Sequence, residues 1–368
     1  MRATNKLYLG YSEWPRADKA LWLQAFEPKV DLFDGGGPGA HLSQRSVQQL
    51  QYAYGKFLYF ISAKRGDLLK RRPARRLNAG IIEEYVNCQP GTCGRVTLSV
   101  YLHHLWLAIR YLCPRDDWRW LLVISKRIKA QAKPKPEKHH LVTSATLYEL
   151  GIRLMDAALA CGKPPTSWRV QTGFRDGLII ALLALIPLRR RTLSGLRIGK
   201  QLIKSGDRWF LDIPAENVKS KRPLDYLISQ ELSERIDVYV NQIRSQTAGS
   251  DTHDYLWACS RGGPMRGRGI YGAVRRRTRK ALGFPINLHR FRRAAPTFWS
   301  IRDPANVRGA KDLLGHASFA TTEKYYLMSQ SRIAGRAFAR VINNVEKDLP
   351  SRERGHQFER TDATRNHD

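Results

Sequence analysis

Leu178-Ile-Ile-Ala-Leu-Leu-Ala-Leu-Ile186 runs directly into Pro187-Leu-Arg-Arg-Arg-Thr-Leu-Ser-Gly-Leu196. The nine apolar residues read as a buried helix, since they are about half of the ~18 that a membrane span requires and Pro187 then stops the run. A guanidinium at the end of such a helix is held rigidly by packing, and its planar fork of donors can be aimed at a phosphate. Taken alone, the three arginines read equally well as a solvated basic cluster, so their meaning depends on the rest of the chain.

Outward from this stretch, residues 143–161 and 167–186 carry helical spacing, and three strand-like pieces follow near 201–204, 209–213 and 224–228. Ser205-Gly206-Asp207 and the segment from Val218 to Pro223 are the turn signals between them. Helices are expected at about 229–246, 266–282, 288–301, 304–314 and 329–344, which makes this region, residues 143–345, α-rich with one small antiparallel sheet. Upstream, Ser43 can cap a helix with Val47, Leu50, Tyr54, Phe57, Leu58 and Ile61 on one face, and further helices are expected at 79–88, 95–112 and 116–129. Residues 41–131 thus read as a compact helical bundle, joined to the second region by a basic, proline-containing linker at 132–142. The glycine-rich breaker from Gly35 to Gly39 sets off an aromatic N-terminal arm, residues 1–40, of unknown role. Residues 346–368, charged and nearly free of large apolar groups, read as a disordered tail. The fold class is therefore mainly α: an N-terminal helical bundle followed by an α-rich domain with a small sheet.

Charge narrows the function. The 368 residues carry 63 Lys+Arg against 32 Asp+Glu, a net charge of +31 and a pI near 10.4, which excludes an ordinary acidic or neutral small-molecule enzyme. Both ends are nearly balanced, so the excess lies on residues 41–345. Such a field on folded domains fits a polyanion, because each Lys or Arg docked on a phosphate releases a counterion, and double-stranded DNA is the expected partner. No apolar run is long enough for a membrane span, and the first residues lack a secretory h-region, so the cytoplasm is the expected location. Five scattered cysteines without a CxxC pair read as reduced structural thiols, and no metal site is expected.

Besides the arginine cluster, three separated pieces carry chemical groups at telling spacings. Asn217-Val-Lys-Ser-Lys-Arg-Pro-Leu224 places Lys219 and Lys221 at a turn between strands, from which a lysine could reach a bound duplex. Leu288-His-Arg-Phe-Arg-Arg293 sets His289 and Arg292 three apart, on one face of a helix. Leu313-Leu-Gly-His-Ala-Ser-Phe-Ala-Thr-Thr-Glu-Lys-Tyr-Tyr-Leu-Met328 sets His316 just after a glycine and Tyr325 nine residues on. Each piece alone fits an exposed turn, a basic helix or an ordinary core segment.

Together, in order and spacing, the four pieces resemble the tyrosine recombinase (phage-type integrase) family. The family's first box, Gly-Leu-Arg-x-x-Glu-Leu-x-x-Leu, is similar to residues 187–196 when Arg189, rather than Arg190 or Arg191, takes the catalytic place, with Leu188, Leu193 and Leu196 on the apolar positions. Thr192 then stands where most relatives have an acidic residue, a group thought to orient its catalytic neighbours. Lys219 matches the catalytic lysine better than Lys221 does, and His289 and Arg292 match the His-x-x-Arg box, with Arg290 and Arg293 as phosphate-contacting neighbours. His316 and Tyr325 match the nucleophile box, and Tyr326 would sit one residue, about 100° round a helix, from the family position.

The resemblance implies a site-specific recombinase that cuts and rejoins DNA through a 3′-phosphotyrosyl intermediate, as a homotetramer on paired sites and a monomer or dimer off DNA. The sequence shows no obvious carboxylate cluster for a pair of metals; Arg189, Arg292 and His316 would instead supply preorganised donors to the phosphoryl oxygens, with neither metal, cofactor nor ATP. Two rivals share the residues: relaxation of supercoils in the manner of a type IB topoisomerase, and a catalytically idle DNA-binding repressor or accessory protein. Retention of all six groups speaks against the idle form.

Overall fold

The computed structural model describes residues 7–28, 35–91, 93–133, 142–303 and 309–315. The chain divides into two compact units, residues 1–138 and 139–368.

The first unit is all α among its described residues: α1 (Arg16–Phe26), α2 (Gln44–Lys64), the short α3 (Pro73–Arg76), α4 (Ala79–Asn87), α5 (Arg95–Leu112) and α6 (Arg119–Ala130). Ser43 caps α2 by accepting from the Ser46 N–H, and Asn78 caps α4 in the same way through Ile81. The apolar faces of α2 and α5, with Tyr54, Phe57, Leu58 and Ile61 against Leu98, Leu102, Leu105 and Ile109, form the core.

Residues 7–28, expected as part of a separate arm, are packed into that core. Trp14 and Trp22 are buried in edge contacts with each other and around Tyr54. Asp18, fully buried on α1, accepts from Arg76 Nη1 and Nη2 at 2.5 and 2.9 Å and from the Tyr54 hydroxyl at 2.6 Å. The glycine-rich stretch marks a chain reversal: Gly37 and Gly39 donate back to the carbonyls of Glu27 and Ala25. A breaker signal alone does not distinguish a boundary from such a fold-back.

The second unit is built round α7 (Ser144–Leu159) and α8 (Trp168–Leu185). α8 is buried from Phe174 to Ala184, which is why its sequence lacks a polar stripe. The two helices touch backbone to backbone: a Cβ on Gly151 would lie 2.6 Å from the Ala181 nitrogen, and one on Gly177 would lie 2.7 Å from the Gly151 carbonyl oxygen. After α9 (Arg190–Ser194) the chain forms an antiparallel meander, β1 (Leu202–Ser205), β2 (Arg208–Ile213) and β3 (Leu224–Leu227), with Leu202, Leu211 and Tyr226 aligned across it. α10 (Gln230–Val238), α11 (Gly267–Leu282), α12 (Leu288–Arg302) and α13 (Gly309–Leu313) complete the described part.

The helix expected at 229–246 changes to a wider π turn at Tyr239–Arg244. That turn carries Arg244 inward, where its guanidinium donates to the carbonyls of Ser250, His253 and Tyr255. Asp176, fully buried on α8, gathers Arg175 at 2.7 Å, Arg277 at 3.0 Å and Arg276 at 3.5 Å, and so ties the basic α11 to the central helix. The parts of the expected helices at 304–308 and 329–344 lie outside the described residues, as does the expected tail. No helix among the described residues is long and apolar enough to cross a membrane.

Candidate active site

The arginine cluster sits at the end of α8. The chain turns at Pro187, with the Leu188 N–H donating to the Ile186 carbonyl at 2.7 Å, and Arg189 becomes the N-cap residue of α9. Leu188, Leu193 and Leu196 are buried in the core, and the Trp257 indole donates to the Leu193 carbonyl at 2.9 Å. These anchors fix the register of the three arginines. Arg189 is half-buried, whereas Arg190 and Arg191 are exposed.

Asn287 caps α12 by accepting from the Arg290 N–H. On the first turn His289 is exposed and Arg292 is buried. The Arg292 guanidinium donates through Nη1 to the Pro187 carbonyl at 2.5 Å and through Nη2 to the Leu314 carbonyl at 2.6 Å. One side chain thus joins the bend that presents Arg189 to the turn that leads into the Leu-Gly-His box. Gly315 closes that turn at φ +56°, and a Cβ there would lie 2.8 Å from the Leu224 side chain of β3, so glycine meets both the conformation and the space.

Tyr226, which sequence reasoning missed, completes this cluster. Its hydroxyl donates to the Leu313 carbonyl at 2.9 Å, next to the carbonyl that Arg292 holds. Burial pushes the phenol up to about 12, against the downward pull of Arg292 and then Arg189, so both cations lie within its electrostatic reach. An inward-facing tyrosine on a short strand carries no sequence signal for such a position. Arg290 and Arg293 are half-buried on the same helix.

Lys219 lies in the loop between β2 and β3 and is exposed. Val218 anchors the loop in the core, and the Lys221 N–H donates to the Val218 carbonyl at 3.0 Å, closing a turn with Lys219 near its start. Lys221 has φ +55°, a left-handed conformation that a lysine adopts only under constraint. The buried Thr192 hydroxyl donates to the Asn217 carbonyl at 3.3 Å, linking α9 to this loop. His316 and Tyr325, with the neighbouring Tyr326, lie outside the described residues. Among the described residues no three His, Cys, Asp or Glu side chains group as an ion-binding cluster.

A helical domain with a three-stranded meander, in which the His-x-x-Arg helix is tied to the bend beyond a buried helix, has the fold of the tyrosine recombinase catalytic domain. Residues 153–332 match the phage integrase family, a span that contains all six singled-out positions. It is 24% identical over 163 residues to tyrosine recombinase XerD of Staphylococcus haemolyticus (strain JCSC1435), covering 44% of this chain and 52% of the relative. It is 25% identical over 164 residues to tyrosine recombinase XerC of Bacillus subtilis (strain 168), with the same coverages. The matches therefore span about half the length of these relatives. The crystal structure of the XerH site-specific recombinase bound to palindromic difH substrate, a post-cleavage complex, aligns with a TM-score of 0.51 at 14% identity, over 80% of this chain and 79% of that one.

Proposed function

We propose that this protein is a site-specific DNA recombinase that breaks and rejoins double-stranded DNA through a covalent tyrosyl link. The observation that carries the reading is the pair of hydrogen bonds from Arg292 to the Pro187 and Leu314 carbonyls, which draws together the first arginine box, the His-x-x-Arg helix and the lead into the nucleophile box. In this reading Arg189 and Arg292, with His316, bind the two non-bridging oxygens and offset the charge that gathers on them in the five-coordinate transition state. The Tyr325 oxygen attacks phosphorus as His289 takes the phenolic proton. The bond from phosphorus to the 5′ oxygen breaks as Lys219 gives that oxygen a proton. The products are a 3′-phosphotyrosyl link and a free 5′ hydroxyl, and reversal by the hydroxyl of another strand completes exchange without ATP.

By the same reading, the helical bundle of residues 41–131 is a core-binding domain that grips the duplex, and the strongly basic region 41–345 steers the chain to it. Four protomers on paired sites carry out the exchange in the cytoplasm. The relatives' names and the DNA-bound XerH complex support this reading by family.

The test is covalent capture. The full chain is incubated with nicked duplexes carrying randomised arms, and the trapped sequence is recovered and used as the substrate thereafter. The parent protein and Tyr326→Phe give the adduct, Tyr325→Phe gives none, and Tyr226→Phe still gives it, because its phenol is held neutral by burial. Loss with Tyr326→Phe or Tyr226→Phe alone reassigns the nucleophile, and failure of the parent to form any adduct refutes the function. Exchange between two captured sites, rather than relaxation of a supercoiled plasmid without them, separates recombination from topoisomerase activity.

A further inference from the structure

We infer that Thr192 is a positioning residue for Lys219, tying the lysine loop to the arginine helix through a hydroxyl where most relatives carry an acid; the inference rests on the recombinase reading above. Three observations carry it. The Thr192 side chain is buried, and its hydroxyl donates to the Asn217 carbonyl at 3.3 Å. Asn217 lies two residues before Lys219, and Val218 between them is buried in the core. The Lys221 N–H closes the turn onto the Val218 carbonyl at 3.0 Å. The lysine therefore projects from a turn with two fixed supports, one the core and the other α9, whose N-cap is Arg189.

The polarity of the link matters. A carbonyl oxygen only accepts, and a hydroxyl can donate to it, whereas an ionised carboxylate cannot. Glutamate at position 192 would place an acceptor against an acceptor and push the loop away. Space does not forbid the larger side chain, because Thr192 and Asn217 border a cavity of about 420 Å³ shared with Gln201, Tyr255 and Met265. In this chain the family's acid would thus weaken the support that the threonine provides.

The test compares two substrates made on the captured duplex: the ordinary phosphodiester and one with sulfur at the bridging 5′ position. A thiolate leaves without a proton donor, since thiols ionise near pKa about 8.5, far below an alcohol. A displaced Lys219 therefore slows only the ordinary substrate, whereas general damage to the site slows both. We expect Thr192→Val to cut the ordinary substrate about 10-fold more slowly, within the range that a small misplacement of a catalytic group produces. On the sulfur substrate it should come within about 2-fold of the parent. Thr192→Ser should stay near the parent on both, and Thr192→Glu should be at least as slow as Thr192→Val on the ordinary substrate. In a Lys219→Ala background, Thr192→Val should add nothing. Equal slowing of Thr192→Val on both substrates, parental rates on both, or an additional loss in the Lys219→Ala background overturns the inference. If Thr192→Val fails to fold, Thr192→Ser against Thr192→Ala isolates the same hydroxyl. The parent's own adduct is the separate control: its absence refutes the recombinase reading, whereas its presence leaves only the role of Thr192 at stake.

Discussion

Replacing Arg292 by lysine keeps the charge and removes the fork. The guanidinium reaches two carbonyl oxygens on different elements, Pro187 at 2.5 Å and Leu314 at 2.6 Å, from a side chain 9% exposed. A lysine ammonium is a compact point donor on a flexible stem and can keep one of the two bonds. A hydrogen bond to a charged group contributes about 1.5–3 kcal/mol, so losing one lowers stability by about 2 kcal/mol. For a domain of this size each kcal/mol corresponds to roughly 2–4 °C, so the melting transition should fall by about 4–8 °C. The catalytic loss should be larger in proportion, because removing one preorganised donor from a developing oxyanion costs about 10²–10³ in rate.

Two measurements on the same preparation check this: thermal unfolding without DNA, and the single-turnover rate of adduct formation on the captured duplex. Arg302→Lys, exposed in the last turn of the same helix, is the control and should change neither by much. A melting point equal to the parent's would show that the two carbonyl bonds do not hold the site together. Adduct formation within a few-fold of the parent, despite the lower melting point, would remove Arg292 from the reacting centre and leave it a structural clamp.

Other consequences follow from the packing. Asp18→Ala leaves Arg76 charged, buried and unpaired, and should destabilise the first unit by about 3–5 kcal/mol in urea unfolding, where an exposed arm would give no change. Gly151→Ala forces a methyl to within 2.6 Å of the Ala181 nitrogen at the α7–α8 crossing, and should cost about 1–3 kcal/mol by the same assay. Alkaline pH should weaken the second unit: burial pushes Tyr148, Tyr226 and Tyr239 each up to about 12, so between pH ~10 and 12 the unfolded chain releases these protons while the folded chain retains them, and stability falls as pH rises. Thermal melts across that interval check the sign, and a rise would refute the burial of these phenols. Tyr226→Phe should lower stability at neutral pH by about 1–3 kcal/mol, because the Leu313 carbonyl loses its donor.

Local signals in the sequence gave the meander closely: pieces expected near 201–204, 209–213 and 224–228 are β1, β2 and β3, because alternation and turn residues are short-range properties. The Ser43 cap also acts through a neighbour three residues on. Tertiary packing decided the rest. The role of residues 7–28 turns on Asp18 finding Arg76 fifty-eight positions away, and no local pattern encodes that pairing. Tyr226 and the Thr192 bond were hidden for a related reason, since each uses a backbone carbonyl as partner, and a carbonyl has no residue identity to read. The register that singles out Arg189 comes from the family resemblance; in the structure Leu188, Leu193 and Leu196 are buried, with Arg189 half-buried and Arg190 and Arg191 exposed.

The way the arginines are held separates scaffold from chemistry. Arg76 and Arg175 are buried against carboxylates, Asp18 and Asp176, which cancel their charge where no solvent can. Arg244 is oriented by three carbonyls within its own loop, and burial lowers its pKa. Arg292 is also held by two carbonyls, and Arg292 and Arg189 both lie within electrostatic reach of the Tyr226 phenol. Two cations within electrostatic reach of one phenol raise the local positive potential. In the recombinase proposed above, a phosphate placed there would offset that charge.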